Sequence, residues 1–369
     1  MSHTKIAPLI VFAAAIFTLS TRAQDMGHVI MPGADLMIQV KLADISKAPI
    51  FIAMKKWKEE QEVKAPEDRV AGVEETDKAM AELRMVTGLE PADFLLFVAT
   101  VNLDGVDWDD TPEMGGVDAL AAVKLGKELP VSKLETGLKA SFAKKAEEKE
   151  TPAGTVSRYS YDDTVILQVK EPDDDVPTCL AMTSDDKVLL VGSKSAIEGA
   201  LDRYASGSKI SPSTLFPASV GKAVGRGSCY MLLNPTADMM TRMGKQEDGA
   251  PNPAKDLLTK LKSIGLGINF GESLDLALIG QFTTDEAARQ ASMMVDAQAV
   301  SGLKMMLSMM TGGAPLPMLQ TMKAGAGQIG MAWFKMSLSQ ADLDVLAQVA
   351  EKKTREAPVA EENMQWEEE

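Results

Sequence analysis

Thioether sulphur is the donor that sets this chain apart: it has 24 methionines and is only 5% aromatic. Met239-Met240 with Met243, Met293-Met294, and Met305-Met306 with Met309-Met310 all fall at helical spacing. Residues three and four apart share a helix face, so Met305, Met306, Met309 and Met310 form the densest candidate ligand-binding set. Soft thioethers arranged in this way can hold copper(I) where thiolates are scarce. Flexible methionines equally suit a surface or cavity that accepts varied apolar ligands. The third reading is structural, with methionine filling helix cores in place of the missing aromatics.

Hard oxygen donors gather in Asn102-Leu103-Asp104-Gly105-Val106-Asp107-Trp108-Asp109-Asp110. Asp104, Asp107, Asp109 and Asp110, with Glu113, are the ligand types calcium takes. The spacing departs from the twelve-residue calcium loop, which needs glycine sixth and glutamate twelfth, so a solvated acidic turn competes with a metal site.

Histidine is nearly absent. His3 falls in an export signal and His28 in a lead-in expected to fray, which leaves none for Ser–His–Asp or Cys–His catalysis and too few ligands for a usual zinc site. Gly325-Ala326-Gly327-Gln328-Ile329-Gly330 spells a dinucleotide loop. That loop must open a helix, and here the following residues alternate as a strand. Ser-x-x-Lys recurs at Ser141/Lys144, Ser206/Lys209, Ser219/Lys222 and Ser301/Lys304, without the companion motifs of serine–lysine hydrolases. No catalytic residue and no cofactor is assigned. A hydrolase using carboxylates alone stays open, because two well-placed acids suffice for it. Cys179 and Cys229, the only cysteines, could join as a disulfide in an oxidising compartment or stand as two buried thiols.

The elements around these residues begin with a secretory signal. Met1–Lys5 is short and basic, Ile6–Leu19 is an apolar run of fourteen, and Thr21-Arg22-Ala23 offers the small residues a signal peptidase reads. The run is shorter than the ~20 residues a spanning helix needs. Cleavage after Ala23 removes Lys5 and Arg22 but no acid, so 36 bases then face 53 acids and the net charge goes from −15 to −17. Such a chain lacks the basic cluster that nucleic-acid binding needs. Its length and 45% apolar content suit about two folded domains.

Alternation predicts strands at Asp35–Leu42, Phe94–Leu103, Val117–Leu125, Thr155–Tyr161, Thr164–Lys170, Thr178–Thr183 and Lys187–Val191. Helices are expected near Glu74–Thr87, over Val131–Lys149, and after a Ser195/Glu198 capping box. The second half is expected to replay this plan: strand Ser228–Leu233, helices Pro235–Met243 and Ala254–Ile264, strands Leu274–Phe282 and Met331–Leu338, and helix Ser339–Lys352. Leu261–Leu266 lines up with Leu83–Leu89 across one gap, which suggests an internal duplication. The expected fold is therefore α+β in two similar halves, each an antiparallel sheet with helices packed on one face. Residues 1–23 are the signal peptide, 24–207 the first domain, 208–227 a linker, 228–352 the second domain and 353–369 an acidic disordered tail.

Thr87-Gly88-Leu89-Glu90-Pro91-Ala92-Asp93 and Val191-Gly192-Ser193-Lys194-Ser195 carry a resemblance to exported bacterial domains of unknown function over roughly residues 34–235. The resemblance implies fold and export and attaches to no active site. The function expected is that of an exported, non-enzymatic envelope protein acting by binding or scaffolding, periplasmic or extracellular. It would bind no nucleic acid and keep no integral membrane segment when mature. A periplasmic carrier of a lipid-like apolar ligand in a methionine-lined cavity is the first alternative, and the carboxylate-only hydrolase the second.

Overall fold

The computed structural model describes residues 26–64, 81–104, 117–149, 153–172, 174, 176–225, 227–243 and 255–356. The expected signal peptide, the acids Asp107, Asp109 and Asp110, and the tail beyond Glu356 lie outside these residues.

The strands are β1 (Leu36–Val40), β2 (Phe94–Val101), β3 (Ala119–Leu125), β4 (Thr155–Tyr161), β5 (Thr164–Lys170), β6 (Thr178–Met182), β7 (Val188–Gly192), β8 (Cys229–Leu233), β9 (Leu261–Phe270), β10 (Ser273–Phe282), β11 (Lys323–Ala326) and β12 (Met331–Ser339). They form one twelve-stranded sheet in the order β11-β12-β10-β9-β8-β1-β2-β3-β7-β6-β5-β4. Every pairing is antiparallel. The expected halves are thus not two sheets. β1 pairs with β8, Met37 facing Leu232 and Val40 facing Cys229, so the ladder crosses from one half to the other without an edge.

Helices cover both faces, where the sequence suggested one. Alternation along each strand sends Met37, Val98, Ala122, Ile166, Leu190 and Leu232 to one core, under the helices Lys194–Ser206 and Ala218–Val224. It sends Val40, Phe97, Ala121, Val123, Leu167 and Leu189 to the other, under the helix Val131–Lys149. On that second face, further along the sheet, Ala324, Phe334, Met336 and Leu338 pack with Leu303, Leu307, Val345 and Leu346. These last four come from the helices Ser301–Met310 and Gln340–Glu356. Ile50 of the helix Pro49–Lys64 joins Leu343 in a smaller cluster. The strands are buried on both sides near the centre, which is why β2 reads Phe-Leu-Leu-Phe-Val-Ala-Thr-Val without polar alternation.

Three local expectations are corrected. The helix expected over Ala254–Ile264 ends at Leu258, and Leu261–Phe270 is β9. Its true period is two: Ile264, Leu266 and Ile268 face one side, and Gly265 and Gly267 the other. A β-carbon on Gly265 would stand 2.5 Å from Val220 Cγ1, so glycine lets the Ala218–Val224 helix lie directly on the strand. The alignment of Leu261–Leu266 with Leu83–Leu89 consequently matches a strand to residues whose first part, 83–87, is helical. Second, the stretch expected as a linker holds the short helices Pro212–Leu215 and Ala218–Val224, which put Phe216, Val220 and Val224 into the core. Third, the helix after β7 is capped by Ser193 rather than Ser195, with Ala196 N–H donating to Ser193 Oγ at 3.3 Å.

Candidate functional site

Residues 285–310 form a layered helical excursion between β10 and β11. Thr284 caps its start, accepting from Ala287 N–H at 3.1 Å. The helix Asp285–Met294 runs into a π-helical segment, Val295–Val300, and then into Ser301–Met310. Its inner side is small or branched: Ala287, Ala288 and Ala291 pack on Phe282 and Ala332, and Val300, Leu303 and Leu307 lie over Met318, Met322 and Phe334. Its outer side carries polar residues such as Glu286, Arg289, Gln290, Asp296 and Gln298 along with methionines. Met293, Met305, Met306 and Met309 are 65%, 65%, 48% and 76% exposed.

The π segment helps put them on one side. Twelve α-helical residues would leave Met293 about 120° away from Met305 around the axis. The wider i→i+5 turn advances each residue by less and brings the two back toward the same side. The methionines thus neither fill a core nor line an enclosed cavity. Met310 ends the helix, and its side chain lies outside those described.

A groove of about 420 Å³ opens on the other face of the sheet, beside the Ala218–Val224 helix. Asn269, Asp275, Thr321, Lys335 and Ser337 give it polar walls over a floor that includes Gly267 and Ala277. Asp275 accepts from Ser337 Oγ at 2.6 Å and from Ser273 Oγ at 2.9 Å, and the Lys335 ammonium stands 5.3 Å from the Trp333 ring centre. Asp275 is the one carboxylate among the residues lining it, where a carboxylate-pair hydrolase needs two. Nothing in the sequence marked this groove, because its residues come from β9, β10, β12, the helices Ala218–Val224 and Met318–Thr321, and Gly227.

The remaining candidates disperse. Asp104 is exposed, its N–H donating to Asn102 Oδ1 at 3.0 Å, and Asp107, Asp109 and Asp110 fall outside the described residues. Among those described, no group of three or more His, Cys, Asp or Glu side chains could hold a metal ion. Cys179 and Cys229 are both free. They sit on β6 and β8 with β7, β3, β2 and β1 between them, and they join opposite cores. At ~4.8 Å per strand the separation is far beyond the ~7 Å Cα limit of a disulfide, so they cannot be joined within one chain. Burial raises both thiols, Cys229 to about 11, which keeps them protonated and unreactive.

His28 does not fray. Its Nδ1 lies 2.6 Å from Ser208 O and 3.2 Å from Arg203 O, its ring meets Tyr204 edge-on at 5.5 Å, and Arg203 Nε donates back to its carbonyl at 2.9 Å. The residue is committed to clasping the Gly27–Val29 turn against the Lys194–Ser206 helix. At the start of that helix, the Ser193 and Ser195 hydroxyls meet Asp118 at 2.6 and 3.3 Å, an arrangement that holds the capping residue Ser193 in place. Tyr159, whose hydroxyl is raised first by burial and then by Cys179 and Glu198, donates to Glu198 at 3.2 Å under Lys194.

Among the described residues, no helix is long and apolar enough to cross a membrane. Searches of protein-family models, curated proteins and solved structures find no match to this chain.

Proposed function

We propose that this is an exported protein that acts by binding or scaffolding in the envelope or outside the cell, without catalysis, and that the methionine side of residues 285–310 is its binding face. The observation that carries the reading is the exposure of Met293, Met305, Met306 and Met309. Each buried CH₂ is worth about 0.8 kcal/mol, so a helix side that leaves four large apolar chains in water forgoes stability that leucine-lined inner residues of the same helices secure. Exposed apolar side chains grouped like Met305, Met306 and Met309 suit an interaction site, and methionine adapts to partners of varied shape.

The halves are proposed to descend from a duplicated unit. Reading outward from the centre, β1-β2-β3-β7-β6 and β8-β9-β10-β12-β11 follow the same course, each with a helical excursion after its third strand. The closing helices differ, Lys194–Ser206 joining the first core and Gln340–Glu356 the face opposite.

A carrier reading draws on a separate observation. Leu266, Leu276 and Leu278 lie on the second face between the helical groups, half-buried or, for Leu278, 40% exposed, a strip on which an apolar chain could lie.

The experiment is photocrosslinking from a benzoylphenylalanine placed at Met305 or Met309 in the cell that exports the protein. A discrete product of defined mass from these positions, and none from a probe at the exposed Lys170 on β5, toward the far edge of the sheet, is the expected result. Absence of any product from Met305 and Met309 would overturn the reading, and lipid co-purifying with the intact protein would favour the carrier.

A further inference from the structure

Resting on the proposal that the methionine side is a binding face, we infer that Met305, Met306 and Met309 form a site for a soft monovalent cation, copper(I). The three occupy positions i, i+1 and i+4 of the helix Ser301–Met310, within one turn, and all three are exposed. Neighbours three and four apart have Cβ atoms about 5–6 Å from each other, and each methionine has three rotatable bonds with which to bring its sulphur inward. The sulphurs can therefore converge on one ion above the helix surface.

Room for that ion is built into the same turn. Helical side chains lean toward the N-terminus, over residues three and four before them. For Met305 and Met306 that residue is Gly302, and a β-carbon at Gly302 would meet nothing within 4 Å. A larger side chain there would occupy the space into which the two thioethers lean.

The donor set then selects the ion. Three neutral thioethers with no adjacent carboxylate, imidazole or thiolate offer little to calcium, magnesium or zinc, which take oxygen, nitrogen or thiolate ligands. Soft thioethers favour copper(I), and a chain with a net charge of −15 draws cations toward it. Among the described residues the cysteines and the histidine are otherwise engaged: Cys179 is buried, Cys229 packs against the second core, and His28 is held by Ser208 and Arg203.

The test is anaerobic titration of the intact protein with copper(I), supplied as its acetonitrile complex against bicinchoninate, with native mass spectrometry to count ions. One copper per chain is expected. The variant M305L/M306L/M309L should keep its thermal midpoint and bind at least about tenfold more weakly, G302L should weaken binding in the same direction, and M85L, at an exposed methionine outside this face, should leave it unchanged. No discrete copper adduct, or equal binding by the triple leucine variant, would overturn the site. Leucine keeps the apolar area, so crosslinking from the Met305 probe that survives with Met306 and Met309 changed to leucine, while copper is lost from the triple variant, supports both readings. Crosslinking without any copper binding removes the metal site alone.

Discussion

The fully buried carboxylate of Asp342 accepts the backbone N–H of Met318 at 2.7 Å, and this bond ties the start of the last helix to the turn that leads into β11. Its other oxygen accepts Ser339 N–H at 2.8 Å and the Ser339 hydroxyl. Asp342 thus closes a reciprocal cap on its own helix while anchoring a segment 24 residues earlier.

Asp342→Ala should destabilise the protein by about 1–3 kcal/mol, since it strands three donors, two of them backbone, in a buried place. Asp342→Asn should recover part of the loss, because a single amide oxygen can still accept while its NH₂ meets donors. Denaturant unfolding of both variants checks this, and an alanine variant as stable as the parent would contradict it.

Glycine-to-alanine exchange should have opposite signs at two helical positions. A β-carbon at Gly137 would stand 2.0 Å from the Val86 carbonyl oxygen, whereas one at Gly221 would meet Leu232 Cδ1 at 3.9 Å. Gly137→Ala should therefore cost about 1–3 kcal/mol by forcing the Val131–Lys149 helix away from residues 81–87. Gly221→Ala should gain about 0.5–1 kcal/mol from helix propensity with ordinary contact. Thermal melts of the pair give the two signs directly.

Thiol chemistry should separate native from unfolded protein cleanly. With Cys179 1% exposed and the Cys229 thiol pushed up to about 11 by burial, iodoacetamide near neutral pH should leave the native chain unmodified and add two groups in denaturant without prior reduction. A mass two units low, or alkylation that requires reductant, would show a disulfide and contradict the sheet order.

Glu135 sets an acid-side dependence. Its hydrogen bond from Lys139 at 2.7 Å, with the Arg158 guanidinium on its other oxygen, holds its carboxyl below the usual value of 4.5. A carboxylate with a lowered folded pKa adds stability above its unfolded value and loses it as pH falls through the folded one. Wild type should therefore melt above Glu135→Gln at neutral pH, and the gap should close below pH 4.5. A gap that stays constant into acid would rule this out.

Local features were legible in the sequence because they depend on near neighbours. Gly88 does end its helix at φ +64°, a helix does follow Ser339, and Gly327–Gly330 is a turn into β12 with Gly330 at φ +69°, although Gly325 and Ala326 belong to β11. Strands from Phe94 to Gly192 fall where alternation or unbroken apolar runs put them. β9 was missed because Leu257, Leu258, Leu261 and Ile264 fit a helical stripe as well as a strand, and a short apolar run cannot arbitrate between the two periods.

What tertiary structure alone decided was which surfaces meet. No local pattern could say that β1 and β8 would pair and fuse the halves into one sheet, because an exposed edge pairs with whatever strand the rest of the chain delivers. Nor could spacing say whether Leu303 and Leu307 or Met305 and Met309 would turn inward: the helix is apolar on both sides, so its rotation is fixed by packing against Met318, Met322 and Phe334 and by the π segment before it. The sequence determined that four methionines would stand together on a helix; packing determined that at least three of them, Met305, Met306 and Met309, would face water.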